Sequence, residues 1–241
     1  MRRLWMSLLL VPVLAVAVPT MASAAPAAPA AHAARTAPAA PARALQPGMS
    51  GAAVKALQRR LAALKYYPGS IDGRFGTNTL EAVWAFYEVQ GLPAHDYVSS
   101  AMKRALAHPR APRVLVRHGG ANRIEVSLSR EVLVLYHNNH VELISHVSTG
   151  GHYYYCSNGG CAVAITPTGN FKTVVFMPGW VQVPLGEMFN PVFFIGTAFA
   201  IHGDTDVPLA PVSHGCVRIP MDIATFFHRL VHIPGEPVYI R

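Results

Sequence analysis

The sequence predicts a multidomain protein in which a small three-helix bundle precedes a mainly β domain, a sandwich or open barrel with one C-terminal helix. Two patterns in the chain of 241 residues carry this prediction. Residues 45–109 repeat apolar side chains at helical spacing, whereas residues 110–241 alternate apolar and polar side chains as strands do. An apolar leader and an alanine-rich segment come before both, and they account for much of the 51% hydrophobic content.

The first 24 residues have the layout of a secretory signal peptide. Arg2 and Arg3 come before a short apolar run, and Ala22-Ser23-Ala24 offers small residues for cleavage. The run is too short and too interrupted by proline for a membrane-spanning helix, which needs about 20 residues; a retained N-terminal anchor is the alternative. We therefore expect a secreted protein of the periplasm or cell wall, with no transmembrane segment in its mature form.

Residues 25–44 hold 12 Ala and 4 Pro. Because recurrent proline breaks helices, we expect a semi-extended linker there. The net charge of the whole chain is +8, but residues 110–241 carry only +1. No run of Lys or Arg forms a nucleic-acid patch, so the basic balance indicates affinity for an anionic cell envelope instead. An acidic disordered chain, a disulfide-dense miniprotein and a charge-rich coiled coil are all excluded by composition.

Three helices are expected in residues 45–109. The helical spacing is carried by Val54, Leu57, Leu61 and Leu64 in the first helix, and by Leu80, Val83, Trp84 and Tyr87 in the second. Pro68-Gly69 ends the first helix, and Asn78 followed by Glu81 is typical of a capped start for the second. A third helix is expected from about Ser99 to Ala107, closed by Pro109.

The period changes to that of strands after residue 110. A strand begins near Ile124, a buried one follows at 132–136, and residues 141–147 return as its hairpin partner. Asn138-Asn139 predicts the tight turn between them, since Asn tolerates a positive φ. Further strands are expected within residues 171–176, 192–194, 198–201 and 238–240. One amphipathic helix carries Ile223, Phe226, Phe227 and Leu230.

The three cysteines divide into a close pair and a single residue. Cys156 and Cys161 lie in the sequence YCSNGGC, and we expect them to form a disulfide in an exported protein, with two free thiols as the alternative. Cys216 is then left over and becomes a candidate reactive thiol. Its neighbours in SHGCVR are polar and basic, which favours a thiolate and is unlike the apolar surroundings of a buried structural cysteine.

A cysteine nucleophile needs a base nearby, and two histidines qualify. His202 lies at the end of an apolar strand, and His214 is two residues from Cys216. Gly203 and Gly215 let the backbone approach the reacting centre, where the N–H groups of residues 215 and 216 could cradle an oxyanion.

The residues around the same thiol could also bind a substrate carboxylate or a zinc ion. Arg218 can bind a substrate carboxylate. A zinc site of His202, His214 and Cys216 is the alternative, but neither an HExxH nor a paired CxxC motif accompanies it. We therefore expect no metal and no cofactor.

Residues 45–109 closely resemble the three-helix type of peptidoglycan-binding module. The matching features are Gly48 and Gly51, the run Leu57-Gln58-Arg59-Arg60-Leu61, Tyr67-Pro68, and Asp72-Gly73-Arg74-Phe75-Gly76. The segments Phe86-Tyr87 and His95-Asp96-Tyr97 depart from the usual pattern. The resemblance implies a domain that binds peptidoglycan, and a three-helix spacer that binds nothing is the alternative.

Residues 110–241 resemble the L,D-transpeptidases of the YkuD type. The resemblance is carried by FAIHGDTDVPLAPVSHGCVRIP at 199–220, with VSTGG, TPTGNFKT and GWVQVPLGEMFNPVFF before it. It differs in the short spacing from His202 to Ser213 and in the insert GHYYYCSNGGC. The Tyr153-Tyr154-Tyr155 run of that insert is expected to form a lid over the cleft, with Tyr154 binding substrate; ordinary strand packing is the alternative.

The family resemblance implies a role for each residue of the motif. Cys216 attacks the carbonyl of the third residue of a peptidoglycan tetrapeptide stem, D-Ala leaves and a thioester forms. His202 acts as general base and then acid, oriented by the Gly203 carbonyl, and the amides of His214, Gly215 and Cys216 stabilise the oxyanion. The residues implied to hold substrate or the motif loop are Ser213 and Arg218. An amine of a neighbouring stem then forms a 3–3 cross-link, and carbapenems are expected to acylate the same thiol.

Other functions remain as alternatives at this point. Water in place of the amine would give an L,D-carboxypeptidase, and another wall thiol hydrolase or a non-catalytic wall-binding protein is also considered. Sortases have wider spacing between His and Cys, and NlpC/P60 peptidases have the opposite order. Seven more histidines have no motif context and are interpreted as surface or hydrogen-bonded residues: His118, His137, His140, His146, His152, His228 and His232.

Overall fold

A computed structural model describes residues 44–157 and 159–241. The predicted signal peptide, residues 1–24, and the predicted linker, residues 25–44, lie outside this part of the chain except for the last linker residue. The described residues belong to one compact unit. None of the helices within them has the length and apolar character needed to cross a membrane.

Four helices and twelve strands make up the described structure. The helices are α1 (Ala52–Ala63), α2 (Thr77–Gln90), α3 (Ser100–Ala107) and α4 (Met221–Leu230). The strands are β1 (Arg123–Ser127), β2 (Val132–His137), β3 (His140–His146), β4 (Tyr154–Ser157), β5 (Gly160–Val163), β6 (Gly169–Lys172), β7 (Val175–Phe176), β8 (Trp180–Val183), β9 (Gly186–Ile195), β10 (Phe199–Asp204), β11 (Val217–Pro220) and β12 (Pro237–Ile240).

Helices α1, α2 and α3 form the bundle that the apolar spacing predicts. Leu61 of α1 and Val83 of α2 are fully buried in its core. Helix α3 starts as expected, because the Ser99 hydroxyl accepts a hydrogen bond of 3.1 Å from the Met102 N–H. The predicted cap of α2 is wrong: no side chain caps this helix, and Asn78 lies in its first turn and contacts α4 instead.

The first sheet has the strand order β3-β2-β1-β12-β6. Strand β1 pairs in parallel with β12, and the other neighbours are antiparallel. The hairpin of β2 and β3 turns at Asn138 and Asn139, whose φ angles of 50° and 63° confirm the turn predicted from the two asparagines.

The second sheet has the order β11-β10-β9-β7, with β8 paired to β9. Its inner face packs on the first sheet around fully buried side chains that include Val126 and Leu133 on one side and Ile201 and Val217 on the other. Helix α4 joins this core through Phe227. The result confirms the predicted fold class of a helical bundle followed by a mainly β sandwich with one late helix.

The outer faces of the two sheets carry different neighbours. On the first sheet, Val134 and Ile144 share an apolar cluster with Phe86 of the helical bundle. On the second sheet, Phe193 and Ala200 form a small cluster with Cys216 packed against it. The bundle and the thiol therefore lie on opposite faces of the sandwich.

Candidate active site

The parallel pair β10 and β11 brings the predicted site residues together. Ile201 lies opposite Val217, and His202 lies opposite Arg218. Since side chains two residues apart share a face of a strand, the alternation puts Cys216, Arg218 and His202 on the outer face. All three line one cavity of about 500 Å³, within the usual size range of small-molecule sites.

Cys216 is a half-buried free thiol immediately before β11. Burial raises the pKa of the Cys216 thiol, and a backbone hydrogen bond from Ala200 and the Arg218 charge offset this only in part. Met188 contacts its sulfur at 4.0 Å. The thiol is therefore protonated at neutral pH, contrary to the thiolate expected from its polar and basic neighbours, because burial outweighs the Arg218 charge. It needs a base before it can act as a nucleophile.

His202 is 4% exposed and held in a fixed orientation. Its Nδ1 lies 3.0 Å from the carbonyl oxygen of Gly203, so Nδ1–H donates and Nε2 is left as the basic nitrogen. Burial lowers the pKa of His202, against smaller raising contributions from Gly203 and Asp204. A neutral imidazole with a free Nε2 is the form required of a general base.

Gly203 also has a packing role, because helix α4 lies close to β10 at this point. A Cβ at Gly203 would lie 2.6 Å from the Cβ of Ala224. This separation is too short for two carbon atoms, so only glycine lets the helix approach. The position therefore both orients His202 and seats α4.

Ser213 organises the backbone around the thiol. Its hydroxyl donates to the Cys216 carbonyl at 2.6 Å and accepts from the Gly215 N–H at 3.0 Å. Gly215 has a φ of +137°, and a Cβ there would lie 2.7 Å from the Ile165 carbonyl oxygen. Because its N–H is already bonded to Ser213, the expected oxyanion role of the Gly215 amide is not compatible with this arrangement.

Arg218 is bound to acidic residues on the cavity wall. Its Nε lies 3.1 Å from the Asp204 carboxylate, and its Nη1 donates to the Asp206 carbonyl at 3.1 Å. Both members of the Asp204 pair are 18% exposed at the side chain. Much of the hydrogen-bonding capacity of Arg218 is therefore committed to Asp204 at the end of β10 and to Asp206 in the loop that follows.

Strands β4 and β5 form a two-stranded hairpin at the rim of the cavity. Cys156 lies opposite Cys161 in the pairing, and the two are disulfide-bonded. Tyr155 and Cys161 both line the cavity. The insert thus supplies one wall of the site.

The tyrosines of this insert divide between solvent and cavity. Tyr154, expected to bind substrate, is 84% exposed and lies outside the cavity lining. Tyr155 occupies the position in the cavity that was expected for Tyr154, because neighbouring residues of a strand point to opposite faces. His214 also lines the cavity, and its ring centroid lies 5.5 Å from that of Tyr153 and 4.8 Å from that of Tyr155. Burial and the Arg218 charge lower the pKa of His214.

In residues 44–157 and 159–241 no three His, Cys, Asp or Glu side chains converge as a metal site would require. Sequence reasoning placed Tyr155 in the expected lid but chose Tyr154 as the substrate contact, and it missed Asp204 and Met188, which only strand register could have revealed. A half-buried thiol and an oriented imidazole in one cleft are the groups that nucleophilic catalysis by a cysteine requires.

Family models match both parts of the chain. Residues 50–106 match a putative peptidoglycan binding domain, and residues 121–240 match the L,D-transpeptidase catalytic domain. No curated protein matches the chain.

Solved structures add a relative over almost the whole described chain. The L,D-transpeptidase of Xylanimonas cellulosilytica (its residues 123–326) is 31% identical, covers 85% of this chain and 100% of its own, and has a TM-score of 0.79. The chain therefore belongs to the L,D-transpeptidase family and is an enzyme of that class.

Two more distant structures carry the same family name. An L,D-transpeptidase of Stackebrandtia nassauensis is 19% identical with a TM-score of 0.46, over 83% of this chain and 97% of its own. An L,D-transpeptidase solved in complex with imipenem is 20% identical with a TM-score of 0.41, over 51% and 60%.

Proposed function

We propose that this protein is an exported L,D-transpeptidase that forms 3–3 cross-links in peptidoglycan. In the first half of the reaction Cys216 attacks the carbonyl of the third residue of a tetrapeptide stem. The bond to D-Ala breaks, D-Ala leaves as an amine, and a thioester forms on Cys216. In the second half, an amine of a neighbouring stem attacks the thioester and frees the thiol.

The observation that carries this proposal is the neutral pair of Cys216 and His202 in one cavity. Because the pKa of the thiol is raised and that of the imidazole is lowered, both groups are uncharged before reaction. His202 Nε2 therefore takes the thiol proton as the carbonyl is attacked and gives it to the departing D-Ala amine. In the second half it takes a proton from the attacking amine and returns it to sulfur.

The negative oxygen of the tetrahedral intermediate needs donors other than the Gly215 amide. We assign this role to the backbone N–H groups of His214 and Cys216, which flank that glycine. Ser213 holds the loop between β10 and β11 in shape. Arg218 shares its charge between Asp204 and a substrate carboxylate.

The N-terminal parts of the chain complete the proposal. Residues 1–24 act as the export signal, residues 25–44 as the linker, and the helical bundle binds peptidoglycan, so the working protein lies in the periplasm or cell wall. The match of residues 50–106 to a putative peptidoglycan binding domain supports the role of the bundle.

Intact-mass measurement after mixing with a disaccharide-tetrapeptide tests the reaction directly. The unsubstituted chain should gain the mass of the stem less D-Ala and then release a cross-linked dimer. C216A should gain nothing, and H202A should slow acylation more than H214A does, by about 10²-fold or more.

Each contrary result has a definite meaning. Acylation of C216A would overturn the assignment of the nucleophile, and a larger loss in H214A would make His214 the base. Release of tripeptide in place of dimer would make the enzyme an L,D-carboxypeptidase. A carbapenem offered to the same variants should acylate only those that retain Cys216.

A further inference from the structure

A buried histidine connects the helical bundle to the loop that carries the catalytic motif. His146 ends β3 and is 1% exposed. Its Nδ1 lies 2.8 Å from the carboxylate of Glu88 on α2. Its Nε2 lies 3.1 Å from each of the carbonyl oxygens of Val207 and Pro208. These two residues belong to the loop between β10 and β11, residues 205–216, called the motif loop below.

The chemistry of the partners fixes the protons on His146. Carbonyl oxygens only accept hydrogen bonds, so Nε2 carries a hydrogen and donates to the motif loop. Burial lowers the pKa of His146, but the Glu88 bond and charge and the two loop carbonyls raise it more, and the net pKa is above the ordinary value. The imidazolium form therefore donates to the bundle on one side and to the motif loop on the other.

The surroundings of His146 contain two more buried carboxyl groups. Glu81 of α2 and Glu131 beside β2 are both electrostatically coupled to it. Burial raises the pKa of each to about 7, and burial also raises that of Glu88. Trp84 of α2 meets the imidazole edge-on, with the two ring centroids 5.4 Å apart. The bundle thus contributes the carboxylate, a second acid and an aromatic neighbour to this one histidine.

The residues after His146 hold the rest of the motif loop. The Ser148 hydroxyl donates to the Ala210 carbonyl at 2.9 Å and accepts from the Val212 N–H at 3.1 Å. The Ser213 N–H donates to the Thr149 carbonyl at 2.9 Å. The end of β3 and the residues after it therefore hold the motif loop from Val207 to Ser213. Ser213 is the residue whose hydroxyl bonds to the backbone around Cys216.

Asp206 connects the first part of this loop to the cavity residue Arg218. Its carbonyl accepts from Arg218, one residue before the Val207 carbonyl that His146 holds. A shift of the loop at Val207 would therefore move a partner of Arg218 on the cavity wall. Small displacements near reacting groups are costly, about 10²-fold in rate for about 1 Å.

We propose that His146 is a positioning residue through which the docked helical bundle holds the motif loop in its catalytic arrangement. Glu88 supplies the charge that keeps His146 protonated, and His146 fixes the carbonyls of Val207 and Pro208. The inference rests on the proposed reaction at Cys216. It gives the bundle a second task besides binding peptidoglycan, since acylation then depends on contacts that α2 makes.

Four variants of the full chain test this inference. H146L removes both donors and should slow acylation of Cys216 by the disaccharide-tetrapeptide by about 10-fold or more, in kcat more than in KM. H146Q should recover part of the rate, because its side-chain amide can donate to the same carbonyls but carries no positive charge. E88Q should lose about fivefold at pH 8 and less at pH 6, because without the carboxylate the pKa of His146 falls.

The matched control is E142Q. Glu142 lies on the same strand and pairs with Lys65 of the bundle at 3.3 Å, but the pair is exposed and distant from the motif loop. E142Q should acylate at the same rate as the unsubstituted chain at both pH values. Binding of all four variants to peptidoglycan sacculi should be unchanged, and thermal melting of each variant reports whether it folds.

The outcomes separate the inference from the proposed function. If the unsubstituted chain is not acylated at all, the proposed function fails. If it is acylated and both H146L and E88Q match it, the inference is overturned. It is equally overturned if H146Q recovers no activity while melting like the unsubstituted chain, or if the E88Q deficit does not change with pH.

Discussion

Replacing Glu131 with glutamine is expected to stabilise the protein increasingly as the pH rises above about 5. Glu131 is 7% exposed, and its two carboxyl oxygens accept bonds of 2.7 Å from the N–H and the hydroxyl of Thr149. Burial raises the pKa of Glu131 from 4.5 to about 7, although the bonds from Thr149 oppose the rise. The ionised carboxylate is therefore disfavoured in the folded state.

The size of the effect follows from linkage between ionisation and folding. A group with a raised folded-state pKa contributes its full stability below its unfolded pKa and loses it as the pH rises through the folded pKa. The rise from 4.5 to about 7 corresponds to about 3 kcal/mol, of which about 2 kcal/mol is lost between pH 5.5 and pH 8. Glutamine stays neutral, its oxygen can accept from the Thr149 N–H and its NH2 can donate to the Thr149 hydroxyl, so E131Q avoids this loss.

Urea denaturation of the full chain at pH 5.5 and pH 8 measures the difference. The free energy of unfolding of E131Q minus that of the unsubstituted chain should grow by about 2 kcal/mol over this range. E142Q, which changes an exposed carboxylate on β3, should show no such growth. A difference that stays level, or that shrinks with rising pH, would refute the assignment of Glu131 as a buried acid that ionises at a cost.

Three further predictions concern the cavity. Y155A should raise KM for the tetrapeptide stem severalfold while Y154A leaves it unchanged, because Tyr155 lines the cavity and Tyr154 is exposed. Steady-state kinetics of both variants test this, and the opposite result would show that the lid uses Tyr154. G215A should lower the free energy of unfolding by about 1–3 kcal/mol in urea titrations, because its φ of +137° and the contact with Ile165 penalise a Cβ; wild-type stability would show that the loop relaxes freely. Mild reduction of the Cys156–Cys161 bond should change turnover without changing alkylation of Cys216 by iodoacetamide, and equal turnover in both redox states would remove any role for the bond in the hairpin wall.

The helical and strand periods were sufficient to predict the main elements. The helix of Ser99 to Ala107, the Asn138-Asn139 turn and the late helix with Phe227 all follow from local chemistry that does not depend on the rest of the chain. Strands β4, β5, β8 and β11 were not predicted. These are four residues each, so a period is hard to recognise in them; β12 is equally short and was predicted from its apolar run at 238–240.

The site shows the same division between local and distant information. The motif around Cys216 and His202 is local enough to be recognised, and parallel pairing of β10 with β11 puts both on one face. The choice between Tyr154 and Tyr155 depends on which face of a hairpin meets the cavity, which the sequence does not encode locally. His146 had no motif context, because its partners Glu88 and Val207 are 58 and 61 residues away.

The placement of the helical bundle and the thiol on opposite faces of the sandwich has a consequence for how the enzyme meets its substrate. Under the proposed function, a wall strand on the bundle and a stem in the cavity would lie on opposite sides of two sheets that pack about 10 Å apart. If both proposed activities hold, the wall strand and the stem would approach the protein from opposite sides. Because the two sheets between them have a fixed thickness, the enzyme would set the distance between the two strands. A flexible connection between the bundle and the cavity would leave that distance free.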